Sequence, residues 1–171
     1  MQAFIEISPV LLSDLMQLNR LQVRIAEWAA SHGSNGFFQT FFEQLTEETE
    51  RFYAKAVSYQ TVSHRASAEL NALKNKWQAL VNIADVRTEG MRSSDFFGIV
   101  DKLFAMEDKT VKSLLRLYGL NENLRMVLDS HQKEIMLLRE AMTFLEQYDT
   151  IFAGAKVSTL ESREAAAYQS A

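Results

Sequence analysis

The chain has 171 residues, with 18 Lys plus Arg against 22 Asp plus Glu, a formal net charge of −4, three histidines and no cysteine. That length allows one domain with a sizeable core. The missing cysteine excludes disulfides, thiolate metal sites and cysteine nucleophiles and fits a reducing cytosol, and the acidic balance argues against nucleic acid, whose phosphates need a basic surface.

In chain order, "MQAFIEISPVLLSDLM" comes first and lacks the basic n-region and small-residue cleavage site of a signal peptide. No apolar run approaches the roughly 20 residues of a membrane span. The expectation is a cytoplasmic protein with no membrane partner. Ser8-Pro9 reads as the N-cap and first position of helix A, residues 9–31, with Gly33 as its left-handed cap. Ser34 or Asn35 caps helix B, which opens with "GFFQTFFEQL" and runs to residue 60. A crossover helix spans 66–88 and stops before Gly90. Ser93, Ser94 and Asp95 start helix C, 94–118, which Gly119 ends; Asn121 caps helix D, which runs to 149. Residues 151–171 read as a flexible or weakly helical tail, with Ser158 and Glu161 as a weak capping box. No alternating run with hairpin signals points to strands. The reading is all-α: residues 1–150 form one antiparallel four-helix bundle with A–B and C–D hairpins. The long helical B–C crossover matches the ferritin-like arrangement.

A bundle helix shows the core a seam at alternating steps of three and four. Helix A offers Leu11, Leu15, Leu18, Gln22, Ile25 and Ala29, with Asn19 beside them. Helix B offers Phe38, Phe42, Leu45, Glu48 or Thr49, Phe52, Ala56 and Tyr59. Helix C offers Phe97, Val100, Phe104, Glu107, Val111 and Leu114. Helix D offers Leu124, Leu128, His131, Glu134 or Ile135, Leu138, Met142 and Leu145. Each seam is apolar at both ends and polar near its middle. Antiparallel helices of similar length bring their midpoints to one depth, so the seams predict a polar layer across an apolar bundle.

An isolated buried carboxylate costs several kcal/mol unless it takes a proton or a partner. Glu48, Glu107 and Glu134 in one dry layer would repel one another. The offsetting charge is His131 as imidazolium or a metal cation. Histidine with carboxylates suits iron, manganese or zinc, and His131 and Glu134, at i and i+3, face the same way. Glu48, Glu107, His131 and Glu134 are therefore the candidate metal ligands. The alternative is a hydrogen-bonded structural layer with no ion, with Glu48 turned to a bundle edge and Thr49 inside.

The segments "LLSDLMQLNRLQVRIAEWAA", "GFFQTFFEQLTEETERFYAKAV", "LNALKNKWQALVNIADV", "DFFGIVDKLFAMEDKTVKSLLRLYG" and "NENLRMVLDSHQKEIMLLREAM" together resemble the ferritin-like superfamily. The likeness is to small bacterial ferritin-like proteins akin to rubrerythrin and Dps. In ferritin-like di-iron proteins two helices each give a Glu and two each give Glu-x-x-His. Glu107, in "MED", matches the single Glu of the third helix. The fourth helix carries His131 and Glu134 in the reverse order. The second has Glu47, Glu48 and Glu50 but no histidine, and the first has Asn19 and Gln22 where a Glu is expected, with Glu27 off the seam. The resemblance implies a single-ion site, or a relic that lost its metal, rather than a di-iron ferroxidase centre.

Other features carry less. "VSHRASAEL", with His64, faintly resembles the phosphoacceptor segment of sensor kinases, but Arg65 stands where an acidic neighbour is wanted and no nucleotide-binding glycine loop appears. His32 sits by a helix C-terminus, which favours a cation. Phe37, Phe41 and Phe96 flank the seams as core or as an oligomer interface, and Trp28 and Trp77 read as packing anchors. Two functions remain: a ferritin-like bundle holding one transition metal, with a metal-handling or stress role implied by the resemblance alone, or a non-enzymatic interaction or assembly module without metal. A homo-oligomer is expected in both.

Overall fold

The computed structural model describes residues 2–60, 65–86 and 93–147. Over these the chain is all-α: α1 (Gln2–His32), α2 (Gly36–Ala56) continued by one 3-10 turn (Val57–Tyr59), α3 (Ala68–Val86), α4 (Ser93–Leu115) and α5 (Glu122–Leu145). No strand occurs among the described residues, and none of the helices is long and apolar enough to cross a membrane. The expected tail at 151–171, its capping box, Gly90 and His64 lie outside the described residues.

Local chemistry sets the boundaries. Asn35 caps α2, its side chain accepting from the Phe37 amide at 2.9 Å. Asn121 caps α5 by accepting from the amides of Asn123 and Leu124. Ser67 accepts from the Leu70 amide at 3.2 Å and starts α3. Arg125 donates to the carbonyls of Leu115 and Leu117, satisfying groups left open where α4 ends.

Two expectations are corrected. First, α1 begins at Gln2, so Pro9 lies inside the helix and Ser8 is not its N-cap. The fixed φ of proline suits a helix, and the missing N–H costs one backbone bond to the turn before it. Second, Gly33 is not a left-handed cap. Gly119, with φ 81°, is the one positive-φ glycine among the described residues. Space fixes Gly33 instead, because a Cβ there would run into the Phe38 ring, and that ring is buried in the core. Gly33→Ala is expected to cost about 1–3 kcal/mol through overpacking, seen as a lower denaturant midpoint with an unchanged m-value.

The packing joins distant segments into one core. α1 packs on α2 and α4, α5 packs on α4 and α2, and α3 lies on α4 with a lighter contact to α1. Residues 33–35 are too short for anything but an antiparallel α1–α2 turn, and Arg20 donates across that pair to the Tyr53 hydroxyl at 2.6 Å. Asp101–Arg139 and Glu107–His131 run in opposite directions along α4 and α5, so this pair is antiparallel too. Asp14 accepts from the Ser67 amide, and Lys74 donates to Gln17, which fastens α3 to α1. At the α1–α2 turn end, Trp28 and Trp77 pack edge to face at 5.4 Å, while Phe41 and Phe96 join the core. Phe37 departs from the core reading: it is 78% exposed. His32 stacks on Trp28 at 4.3 Å, and its Nδ1 meets the Trp28 carbonyl.

Candidate functional site

The buried polar side chains among the described residues are Ser13, Asn19, Gln22, Thr49, Glu107 and His131. All but Ser13 are the midpoint residues of the helical seams. A polar group at each midpoint is therefore taken into the interior, where it needs a partner.

Glu107 on α4 and His131 on α5 find each other. The His131 Nε2 lies 2.6 Å from Glu107 Oε1, with Glu107 0% and His131 4% exposed. The imidazole therefore donates to the carboxylate in a short, charge-assisted bond. Phe52 on α2 stacks on the imidazole, with centroids 3.5 Å apart and planes 6° from parallel. The stack fixes the ring plane and the bond fixes its rotation, so three helices hold one imidazole.

The remaining candidates lie further out. Glu134 is half-exposed, its Oε2 3.7 Å from His131 Nδ1, too long for a hydrogen bond. Ile135 takes the inner position on α5. On α2, Thr49 is inside, while Glu48 sits at the edge and accepts from Arg51 at 2.8 Å. The dry interior thus holds one of the three carboxylates, which removes the mutual repulsion that the seams alone implied. Glu48, His131 and Glu134 do line a common cleft of about 40 Å³, together with Arg51 and Lys55. Of its two carboxylates, Glu48 is paired with Arg51 at 2.8 Å. Among the described residues no three His, Asp or Glu side chains are grouped to hold a metal.

Five buried atoms have no hydrogen-bond partner among the described residues: Asn19 Oδ1, Gln22 Oε1, Glu107 Oε2, Asp108 Oδ1 and His131 Nδ1. The Asn19 amide nitrogen donates to the Leu15 carbonyl at 2.8 Å, so only its oxygen is left over.

A second feature lies on the outside of α5. Met126, Leu137 and Phe144 are 66%, 66% and 68% exposed, with Met136 beside them at 58%. Their spacing of eleven and then seven residues places Met126, Leu137 and Phe144 on one stripe, a signal present in the sequence behind the stronger inward seam. Phe52 as the ring partner of His131 is likewise absent from the candidate ligands, because aromatic stacking leaves no mark in spacing. Compared with known proteins, the chain matches no family model, no curated protein and no solved structure.

Proposed function

We propose that the chain is a non-enzymatic helical interaction or assembly module on a ferritin-like four-helix plan, with its central polar site serving as a structural lock. One observation carries this reading: the two buried groups best suited to hold an ion, Glu107 and His131, hold each other at 2.6 Å. Arg51 engages Glu48 in the same way. The four-helix plan is supported by the closed cycle of contacts α1–α2–α5–α4, with α3 as the helix of a long crossover. A buried polar pair adds little stability over an apolar replacement, but it sets register. Sliding α5 by one turn along α4 would bury Glu107 against apolar surface. The exposed apolar stripe on the outer face of α5 supplies a surface for association.

Metal analysis tests this reading on full-length protein purified without chelator, with melting followed before and after EDTA. The expected result is metal far below one equivalent per chain and an unchanged melting temperature. Near-stoichiometric iron, manganese or zinc, lost in His131→Ala and Glu107→Ala, would overturn it.

A second reading rests on the buried, unpartnered His131 Nδ1 facing Glu134. A metal-bound imidazole is normally held at its other nitrogen by a carboxylate, which is the relation of Glu107 to His131. One iron, manganese or zinc ion on Nδ1 and Glu134, with Glu48 recruited from Arg51, would make Glu107 an orienting residue instead of a ligand. Added metal would then raise the melting temperature in step with its concentration over Kd.

A further inference from the structure

Helix α5 has two opposed faces. Leu124, Leu128, His131, Ile135, Met142 and Leu145 are buried. The opposite face carries Met126, Ser130, Lys133, Leu137, Glu140 and Phe144, all exposed. Their steps are four, three, four, three and four, the seam one helix shows to a partner helix. A lone surface helix has no use for that pattern, and apolar residues on it are at their most exposed in Met126, Leu137 and Phe144.

The order of the seam is self-complementary when reversed. Set α5 against a copy of itself, antiparallel, with Leu137 opposite the partner's Lys133. Met126 then falls opposite the partner's Phe144, and Ser130 falls opposite the partner's Glu140. Lys133 donates to Asp129 of its own helix at 3.0 Å; in the pair its methylene stem covers the partner's Leu137, and its ammonium bridges Asp129 and the partner's Glu140. A parallel pairing would instead stack Lys133 on the partner's Lys133 and Glu140 on the partner's Glu140, which like-charge repulsion disfavours. The charges select both a partner, a second copy, and a direction.

We propose that two copies of this chain associate through the outer seams of α5, antiparallel about a two-fold axis that passes between Lys133 and Leu137. This rests on the interaction-module reading and names its partner. The seam is about 27 Å long at 1.5 Å per residue. A patch of that length sits at the small end of specific interfaces, so the dimer is reversible.

Sedimentation velocity of the full chain over a range of concentrations tests the proposal. The expected result is a monomer–dimer equilibrium. Leu137→Asp should leave a monomer at every concentration with helicity unchanged. Lys133→Glu and Glu140→Lys should each weaken association about tenfold or more, since every dimer contains the contact twice. The combination Lys133→Glu/Glu140→Lys should recover most of the loss, because the exchanged charges are again complementary. A chain that is monomeric throughout overturns the proposal. A dimer indifferent to Leu137→Asp, or a double variant no better than the single ones, overturns it too. The metal test stays separate: a metal-free monomer sinks the pairing and leaves the interaction module, whereas stoichiometric metal sinks the module whatever the mass.

Discussion

His131→Ala is expected to destabilise the protein by about 3–5 kcal/mol, a large share of the 5–15 kcal/mol typical of a domain. The loss has little to do with the net worth of the Glu107–His131 bond. Glu107 is fully buried, and its Oε1 has His131 as its partner at 2.6 Å. Without the imidazole the carboxylate stays in the dry core with neither oxygen satisfied. Phe52 also loses the ring stacked on it at 3.5 Å. Glu107→Gln keeps an oxygen acceptor for Nε2–H and is expected to cost about 1 kcal/mol. Replacing both partners, Glu107→Leu with His131→Leu, removes the desolvation penalty together with the bond. Such exchanges are often neutral or stabilising by about 1–4 kcal/mol. Denaturant unfolding of Glu107→Leu, His131→Leu and the double variant closes a mutant cycle. If His131→Ala costs no more than an exposed substitution, the pair is not the lock. If the double variant is the least stable of the three, the polar pair contributes more than register.

The Glu107–His131 contact was legible in part. Glu107 and His131 each sit at a core position of an otherwise apolar seam, and helical periodicity alone puts them inside. Their meeting depends on α4 and α5 being neighbours, which the short Gly119 connection makes readable. That Phe52 of α2 covers the ring was not readable, because one helix's pattern does not encode which helix lies across from it. Glu48 and Thr49 mark another limit. A seam drawn with steps of three and four slips by one residue against the 3.6-residue turn, and adjacent positions become ambiguous. Arg51, three residues on, decides the matter by giving Glu48 a partner at the surface. Glu134 and Ile135 repeat the case, and the apolar member goes in. Gly33 shows a different loss: its role is set by the Phe38 ring five residues away, a steric fact that glycine's conformational freedom does not signal.

Phe96→Ala is expected to cost about 3–5 kcal/mol and to loosen the attachment of α3. Phe96 opens α4 and is fully buried. Its ring lies 6.2 Å from Trp28 on α1, 5.9 and 5.4 Å from Phe38 and Phe42 on α2, and 6.2 Å from Trp77 on α3. These separations fall in the range of tilted and edge-to-face aromatic pairs, so one side chain ties four helices at one end of the core. Truncation leaves a cavity walled by rigid rings, which collapse poorly onto it, and the penalty should sit toward the upper end of its class. Phe96→Leu keeps most of the apolar volume and should cost less. Phe37→Ala is the internal control: a phenylalanine from the neighbouring helix, 78% exposed, expected within about 0.5 kcal/mol of the parent. Trp28 and Trp77 are the protein's two tryptophans, and both flank the cavity, so their emission should shift to longer wavelength as water reaches the cluster. Because Trp77 is the large buried side chain that α3 contributes there, amide exchange in α3 should rise ahead of that in α2 and α5. Equal stability loss in Phe96→Ala and Phe37→Ala, or an unmoved emission maximum, would show that the aromatic cluster is not what binds the crossover helix to the rest.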